Sequence, residues 1–97
     1  MKVRLSDEAR EQVIEMSAWW VDHRDKAPDL FDRELADAFA KISEMPTWLP
    51  VYQRRPSGDV RRVLMPKTRN HVYYLCLEGE VLVIAVDGGP KGREPAL

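Results

Sequence analysis

Residues 60–86 read VRRVLMPKTRNHVYYLCLEGEVLVIAV, and this stretch decides the fold. It contains three runs rich in Val, Leu, Ile and Tyr, which are Val60–Met65, His71–Leu77 and Val81–Val86. Apolar runs of about four to eight residues, bounded by Gly or Pro, are typical of β-strands. The Glu78-Gly79-Glu80 connection is short and contains Gly, which favours an antiparallel hairpin. The C-terminal half is therefore predicted to be a three-stranded antiparallel meander.

One strand and two helices are predicted before the meander. Lys2–Leu5 is β-compatible, and Ser6 follows it as a helix N-cap with acidic residues in the first turn, where the helix dipole favours them. The first helix is predicted from Asp7 to about His23. Pro28 suits the first turn of a second helix, which Pro46 ends. The apolar stripes are Ala9, Val13, Met16 and Trp20 on the first helix, then Phe31, Leu35, Ala38, Phe39, Ile42 and Met45 on the second.

These elements predict an α+β fold with an N-terminal strand, an antiparallel helical hairpin and a three-stranded antiparallel meander. The first strand can pair at either edge of the sheet. The second helix carries a polar face that is expected to be solvated, formed by Glu34, Asp37, Lys41 and Glu44. Thr47–Gly58 is predicted to be an ordered loop, in which Trp48 and Tyr52 anchor onto the core.

Composition indicates a folded, water-soluble protein. The 97 residues fit one domain, 1–97, and the 44% hydrophobic and 32% charged fractions are unlike those of a disordered chain. No apolar run is long enough to span a bilayer and no signal-type segment follows Met1, so a cytoplasmic location is expected. The single cysteine, Cys76, cannot form an intramolecular disulfide and is expected to be a small buried side chain.

Charge is distributed unevenly along the chain. The formal net charge is −1, but residues 1–50 hold 7 Lys/Arg against 11 Asp/Glu, whereas residues 51–97 hold 8 against 5. A local basic patch on a near-neutral protein favours a specific anionic partner over general nucleic-acid affinity. The basic residues concerned are Arg54, Arg55, Arg61, Arg62, Lys67 and Arg69, followed in the tail by Lys91 and Arg93.

The sequence offers little support for a metal or cofactor site. Its two histidines, His23 and His71, lie on different predicted elements, and no phosphate-binding loop is present. On a strand, Arg61 and Arg62 point to opposite faces, whereas His71 and Tyr73 share one. Two interpretations stay open for His71: a general acid or base acting on RNA beside the arginines, or a hydrogen-bonded residue in a solvated basic rim.

The ordered set of elements resembles the RelE/ParE superfamily of bacterial type II toxins. Ser6-Asp7-Glu8-Ala9 is similar to the family's opening helix, and Val60–Leu64, Pro66–Arg69 and His71–Tyr74 are similar to its central strands. Ile84–Val86, with the Gly- and Pro-rich segment that follows, is similar to its last strand and tail. The sequence departs from the family pattern at two positions. Asn70 stands where an aromatic residue is frequent, and Asp87 where a large residue such as Trp commonly ends the last strand.

The resemblance implies a toxin in a toxin–antitoxin hetero-oligomer, neutralised by a cognate antitoxin whose C-terminal segment wraps it. ParE-like members inhibit DNA gyrase, and this alternative is favoured by the Pro66–Arg69 segment, the near-zero charge and a tail without His or Tyr. RelE-like members cleave mRNA on the ribosome; Arg61, Arg69, His71 and Arg93 would then be catalytic. A non-toxic member that only binds antitoxin is the third alternative. The expected partner-binding residues are Trp19, Arg54, Arg55, Arg61, Arg62, Lys67, Arg69, Lys91 and Arg93.

Overall fold

The computed structural model describes residues 1–23 and 27–88, which form one mixed sheet and two helices. The elements are β1 (Lys2–Leu5), α1 (Asp7–His23), α2 (Leu30–Glu44), β2 (Val51–Gln53), β3 (Val60–Met65), β4 (Asn70–Leu77) and β5 (Glu80–Gly88). The strand order is β1-β5-β4-β3-β2, and β1 runs parallel to β5 while the other neighbours are antiparallel. The predicted α+β class is confirmed, and β1 lies at the edge beside β5.

Helix α1 begins where its capping residue predicts. The backbone N–H of Ala9 donates to Ser6 Oγ over 3.1 Å, and the N–H of Arg10 donates to the Ser6 carbonyl over 2.9 Å. A serine in this position satisfies one of the N–H groups that have no partner inside the helix. Both predicted ends of α1, Asp7 and His23, are confirmed.

Helix α2 begins two residues later than predicted. Pro28 and Asp29 form a turn, in which the N–H of Leu30 donates to the Ala27 carbonyl over 3.2 Å, and helical residues start at Leu30. Asp29 occupies the N-cap position because its carbonyl accepts from the N–H of Arg33 over 3.0 Å. The placement of Pro28 inside the helix was wrong, since the fixed φ of proline suits a turn as well as a first helical turn.

Both helices pack on one face of the sheet and enclose the main core there. Ser17 of α1 also donates a hydrogen bond to Asp32 of α2, with 2.9 Å between Oγ and Oδ1. The buried members of this core are Ala9, Trp20, Phe31, Leu35, Ala38, Ile42, Val63, Met65, Val72, Tyr74, Val81, Val83 and Val86. Most of the predicted stripe of each helix is thus confirmed as core, although Met45 lies just beyond the end of α2 and is exposed.

The face of the sheet turned away from the helices, called here the far face, has its own small apolar cluster. Val60, Tyr73 and Ala85 are buried in it, and Tyr52, Leu75 and Ile84 pack around them. A β-bulge in β5 makes this possible, because Tyr73 pairs with Ala85 while the next residue, Tyr74, pairs with Val83. The extra residue, Ile84, reverses the alternation, so that Val83 and Val86 both face the helices.

The connections differ from the predictions at two places. Thr47–Gly58, predicted as a loop throughout, contains the short strand β2, which pairs with the beginning of β3. Glu80 belongs to β5 and pairs with Leu77, so only Glu78 and Gly79 form the hairpin turn. Gly79 has φ 76°, a conformation that glycine adopts without steric penalty.

Three side-chain predictions were wrong. Trp48 is 84% exposed and does not anchor its loop, although Tyr52 does pack, on the far face. Cys76 is exposed, and it lies past the end of the β3–β4 pairing, where Leu75 pairs with Val60. Partial burial of its sulfur raises the pKa of the Cys76 thiol, and the charge of Arg61 offsets this only in part. Glu34, expected to be solvated, is buried.

Candidate functional site

The four-residue connection between β3 and β4 fixes which side chains meet on the far face. Met65 pairs with Asn70 across this connection, so Leu64 pairs with His71 and Arg62 with Tyr73. Residues directly opposite each other on antiparallel strands place their side chains on the same face. The far face therefore carries Arg62, Leu64, His71 and Tyr73 side by side.

Aromatic rings and a guanidinium form the centre of this face. The Arg62 guanidinium carbon lies 4.8 Å from the ring centroid of Tyr52, within the range of a cation–π contact. The Tyr52 and Tyr73 rings meet edge to face, with centroids 4.9 Å apart and an interplanar angle of 74°. The His71 and Tyr73 rings lie 5.9 Å apart. Arg62 is thus held over an aromatic surface.

Asp87 joins this group from β5. It pairs with His71 across the β4–β5 ladder, and the bulge at Ile84 is what turns Asp87 to the far face. An imidazole beside a carboxylate, with a tyrosine and an arginine near, is an arrangement in which a proton can be transferred and negative charge stabilised. Arg62, His71, Tyr73 and Asp87, together with Tyr52, are called the far-face cluster below.

Arg61 lies away from the far-face cluster. It pairs with Tyr74 on the helix side of the sheet, and its Nη1 donates to the Leu49 carbonyl over 2.7 Å. The prediction that Arg61 and Arg62 point to opposite faces agrees with this arrangement. The structure therefore does not bring Arg61 and His71, two of the residues predicted for RNA cleavage, to a common surface.

Lys67 and Arg69 are exposed in the connection between β3 and β4, and α2 holds this turn. The Glu34 carboxylate accepts from the backbone N–H groups of Lys67 and Thr68, each over 2.9 Å. Burial would raise the pKa of Glu34, but these hydrogen bonds and the Lys67 charge outweigh it, so the pKa lies below its usual value. Arg69 closes the turn with φ 67° and donates its N–H to the Met65 carbonyl over 2.8 Å.

The remaining predicted partner-binding residues are dispersed. Arg54 forms an ion pair with Asp59 over 3.0 Å, and Arg55 Nε donates to Gln53 Oε1 over 2.9 Å, both at the β2 edge of the sheet. Trp19, on α1, is half-buried and stacks on His23 with centroids 4.5 Å apart. Lys91 and Arg93 lie outside the described residues, as do Arg24, Asp25 and Lys26 of the predicted polar break between the helices.

Sequence reasoning gave no site role to Glu34 and Asp87, and it assigned the catalytic role beside His71 to Arg61 instead of Arg62. Strand alternation could have indicated Arg62, and not Arg61, as the arginine on the same face as His71. Arg62 lies two residues before Leu64 and therefore shares its face, and Leu64 pairs with His71. Glu34 could have been found from its spacing, three residues after Phe31 and four before Ala38, which puts it beside the apolar stripe. Asp87 had no signal, because the bulge that turns it leaves no mark in the sequence.

The described residues also bear on metal binding and on membrane insertion. Within 1–23 and 27–88, no three His, Cys, Asp or Glu side chains are grouped in a way that could hold a metal ion. In the same residues, neither helix has the length and apolar composition needed to cross a membrane.

Comparison with known proteins gives a result for the fold only. No protein-family model matches the sequence, and no curated protein matches it significantly. A chain in the solved structure of the chromosomal ParDE toxin–antitoxin system from P. aeruginosa superposes with a TM-score of 0.63 at 11% sequence identity. The match covers 90% of this chain and 94% of that one. The fold that the RelE/ParE resemblance predicted is therefore confirmed, and it is the fold of a chain from a ParDE toxin–antitoxin system.

Proposed function

We propose that this chain is the toxin of a ParE-like toxin–antitoxin pair and acts in the cytoplasm by inhibiting DNA gyrase. One observation carries the proposal: the fold is shared with a ParDE chain over 90% of this chain and 94% of the other. Because the match covers nearly all of both chains, it supports a role that belongs to the whole protein and not to a shared fragment. The motifs in the sequence favour the toxin over the antitoxin.

The placement of the basic residues supports protein binding over RNA cleavage. Arg61 donates to the Leu49 carbonyl on the helix side, whereas His71 lies on the far face. A protein that enters a ribosomal site gains affinity from many phosphate contacts, and a chain with a formal net charge of −1 supplies few. Both observations favour a protein target such as gyrase.

The far face is the proposed site of the antitoxin. It combines the apolar side chains Leu64 and Leu75 with the cationic Arg62, and an acidic, apolar-rich segment would complement both properties. Lys67 and Arg69, in the turn at one end of β3 and β4, extend the positive charge along the same strands. Binding there would give the toxin–antitoxin hetero-oligomer that the family resemblance implies.

The first experiment is a gyrase supercoiling assay with the purified protein, checked for folding by circular dichroism. Increasing protein is expected to inhibit supercoiling, and a stoichiometric amount of the cognate antitoxin is expected to restore it. Linear DNA in the same reactions would indicate trapping of the cleavage complex. If a large excess of folded protein leaves supercoiling unchanged, gyrase is not the target.

The antitoxin surface can be tested with two variants that make the same charge change. Arg62→Glu reverses a charge on the far face, and Arg33→Glu reverses an exposed charge on α2, on the helix side. We expect Arg62→Glu to weaken antitoxin binding at least ten-fold and Arg33→Glu to change it less than three-fold. Equal effects of the two variants would show that the antitoxin does not select the far face.

The far-face cluster favours ribosome-dependent mRNA cleavage as a second candidate function. His71 and Asp87 are cross-strand neighbours, and Tyr73 and Arg62 lie beside them. If these side chains act in catalysis, His71→Ala abolishes cleavage of mRNA on purified ribosomes, whereas Arg61→Ala leaves cleavage measurable. Full cleavage by His71→Ala excludes this role. A folded wild-type protein inactive in both assays would leave antitoxin binding as its function.

A further inference from the structure

Trp48 is the most exposed large apolar side chain among the described residues. It lies in the connection between α2 and β2 and is 84% exposed. Met45, at the start of the same turn, is also exposed, and its carbonyl accepts from the N–H of Trp48 over 3.1 Å. Single exposed Leu or Val residues are ordinary on protein surfaces, whereas tryptophan is one of the side chains enriched at binding hot spots.

The backbone that carries Trp48 is held on both sides by side chains from the sheet. On one side the Tyr74 hydroxyl donates to the Pro46 carbonyl over 2.5 Å. On the other side Arg61 Nη1 donates to the Leu49 carbonyl over 2.7 Å. The exposed indole therefore does not result from a loose loop. A loop already fixed in one conformation loses less entropy on binding, which raises the affinity for a partner.

The composition of this connection indicates the chemistry of the partner. Residues 45–50 read MPTWLP and contain no Lys, Arg, Asp or Glu. A surface that binds nucleic acid or an anionic membrane needs cations, and a surface for an acidic antitoxin segment gains from them. An uncharged apolar loop with a central tryptophan fits an apolar pocket on a folded protein.

We propose that the loop Met45–Pro50 docks this chain onto gyrase, with Trp48 entering an apolar pocket of the enzyme. This inference rests on the proposed function and adds the surface that meets the target. It separates two surfaces of the chain: the far face, which binds the antitoxin, and the Trp48 loop, which binds the target. Arg61 then acts as a positioning residue for the loop instead of a contact to either partner.

The test measures gyrase and antitoxin binding in parallel for four proteins: wild type, Trp48→Ala, Trp48→Phe and Ile14→Ala. Ile14 is a matched control because it is 62% exposed on α1, away from the loop. Surface plasmon resonance with immobilised gyrase gives the affinity, and the supercoiling assay gives the inhibitory concentration. Because Trp48 has little buried surface, Trp48→Ala is expected to keep the wild-type melting temperature.

We expect Trp48→Ala to weaken gyrase binding and inhibition at least ten-fold, with antitoxin binding changed less than three-fold. Trp48→Phe should recover most of the affinity, because it retains an apolar ring, and Ile14→Ala should behave as wild type. Unchanged gyrase binding by Trp48→Ala would overturn the docking role while leaving gyrase inhibition in place. An equal loss of antitoxin binding would overturn the separation of the two surfaces. Absence of gyrase binding by the wild type would overturn the proposed function and this role with it.

Discussion

The carboxylate of Glu34 accepts a hydrogen bond from the backbone N–H of Lys67, with 2.9 Å between Oε2 and the nitrogen. The other carboxylate oxygen accepts from the next N–H, that of Thr68, over the same distance. One buried side chain of α2 therefore satisfies two donors of the turn between β3 and β4. This contact links the helical layer to the turn that presents Lys67 and Arg69.

Replacement of Glu34 is expected to destabilise the fold. Glu34→Ala leaves two backbone donors without their partner, and a buried donor without a partner costs about 1–3 kcal/mol of unfolding free energy. Chemical denaturation at pH 7 measures the loss. Asp37→Asn, an exposed residue on the same helix, is the control and should change stability by less than about 0.5 kcal/mol. Equal stability of Glu34→Ala and wild type would mean that the turn forms without this contact.

The Glu34 contact also predicts a pH dependence. Its folded-state pKa is lowered below the ordinary value of 4.5, so its contribution is fully present above pH 4.5 and is lost as the pH falls through the folded-state pKa. Thermal melts of wild type and Glu34→Gln between pH 7 and pH 3 test this. The difference in melting temperature between the two proteins should shrink as the pH falls below 4.5, and a constant difference would contradict the assignment.

Arg69 occupies a backbone conformation that favours glycine. Its φ of 67° is left-handed, which costs an L-residue about 1–2 kcal/mol, whereas the added freedom of glycine in the unfolded chain costs about 0.4–1 kcal/mol. Arg69→Gly is therefore expected to raise the unfolding free energy by up to about 1 kcal/mol. Arg69→Val should lower it, since a branched side chain is strained at this φ. Urea denaturation of the three proteins gives the order, and a less stable glycine variant would contradict it.

Asn70 is fully buried, and neither polar atom of its amide has a hydrogen-bond partner among the described residues. It shares a strand face with Val72 and Tyr74, on the helix side. Burying an unpaired amide costs about 1–3 kcal/mol, and valine fills a strand position without that penalty. Asn70→Val is thus expected to raise the melting temperature. A lower melting temperature would show that the amide makes a contact that valine cannot replace.

Two predictions follow from the partly buried Tyr74 hydroxyl, one for the stability of a Phe variant and one for the pH at which this tyrosine loses its proton. Tyr74→Phe removes its bond to the Pro46 carbonyl and should cost about 1 kcal/mol. Burial raises the pKa of Tyr74 to about 12, so the folded protein retains this proton longer than the unfolded chain, and stability falls as the pH rises from 10 to 12. Absorbance at 295 nm should show a late step that Tyr74→Phe lacks. Titration of every tyrosine near pH 10 would contradict the burial of this hydroxyl.

Most of the fold could be predicted from the sequence, because each helix and strand is marked by residues within or next to it. Ser6 marks the start of α1, and the three apolar runs of the C-terminal half became β3, β4 and β5. The exposure of individual side chains could not be predicted, because it depends on which other elements pack against them in the folded protein. Cys76 follows the alternation of Val72 and Tyr74, yet it is exposed, and it lies past the end of the β3–β4 pairing. Trp48 is apolar and still exposed, which hydrophobicity alone cannot reveal.

The candidate site shows the same division between local and tertiary information. Placing His71 and Tyr73 on a common face needed only strand alternation, and the structure agrees. Bringing Asp87 to that face required a bulge at Ile84, which is stabilised by partners distant in the chain. The N–H of Val86, just past the bulge, donates to Gln12 Oε1 on α1 over 2.8 Å. Such a contact follows from the assembled layers and has no sequence motif.

The parallel pairing of β1 with β5 affects how the protein folds during its synthesis. Arg4 of β1 contacts Glu80 of β5, 76 residues further along the chain, so this edge of the sheet closes only after β5 has been synthesised. Contacts between distant residues slow folding, because a large loop must close before they form. The sheet of a nascent chain therefore lacks its β1 edge until β5 has emerged, although β1 is the first strand to be synthesised.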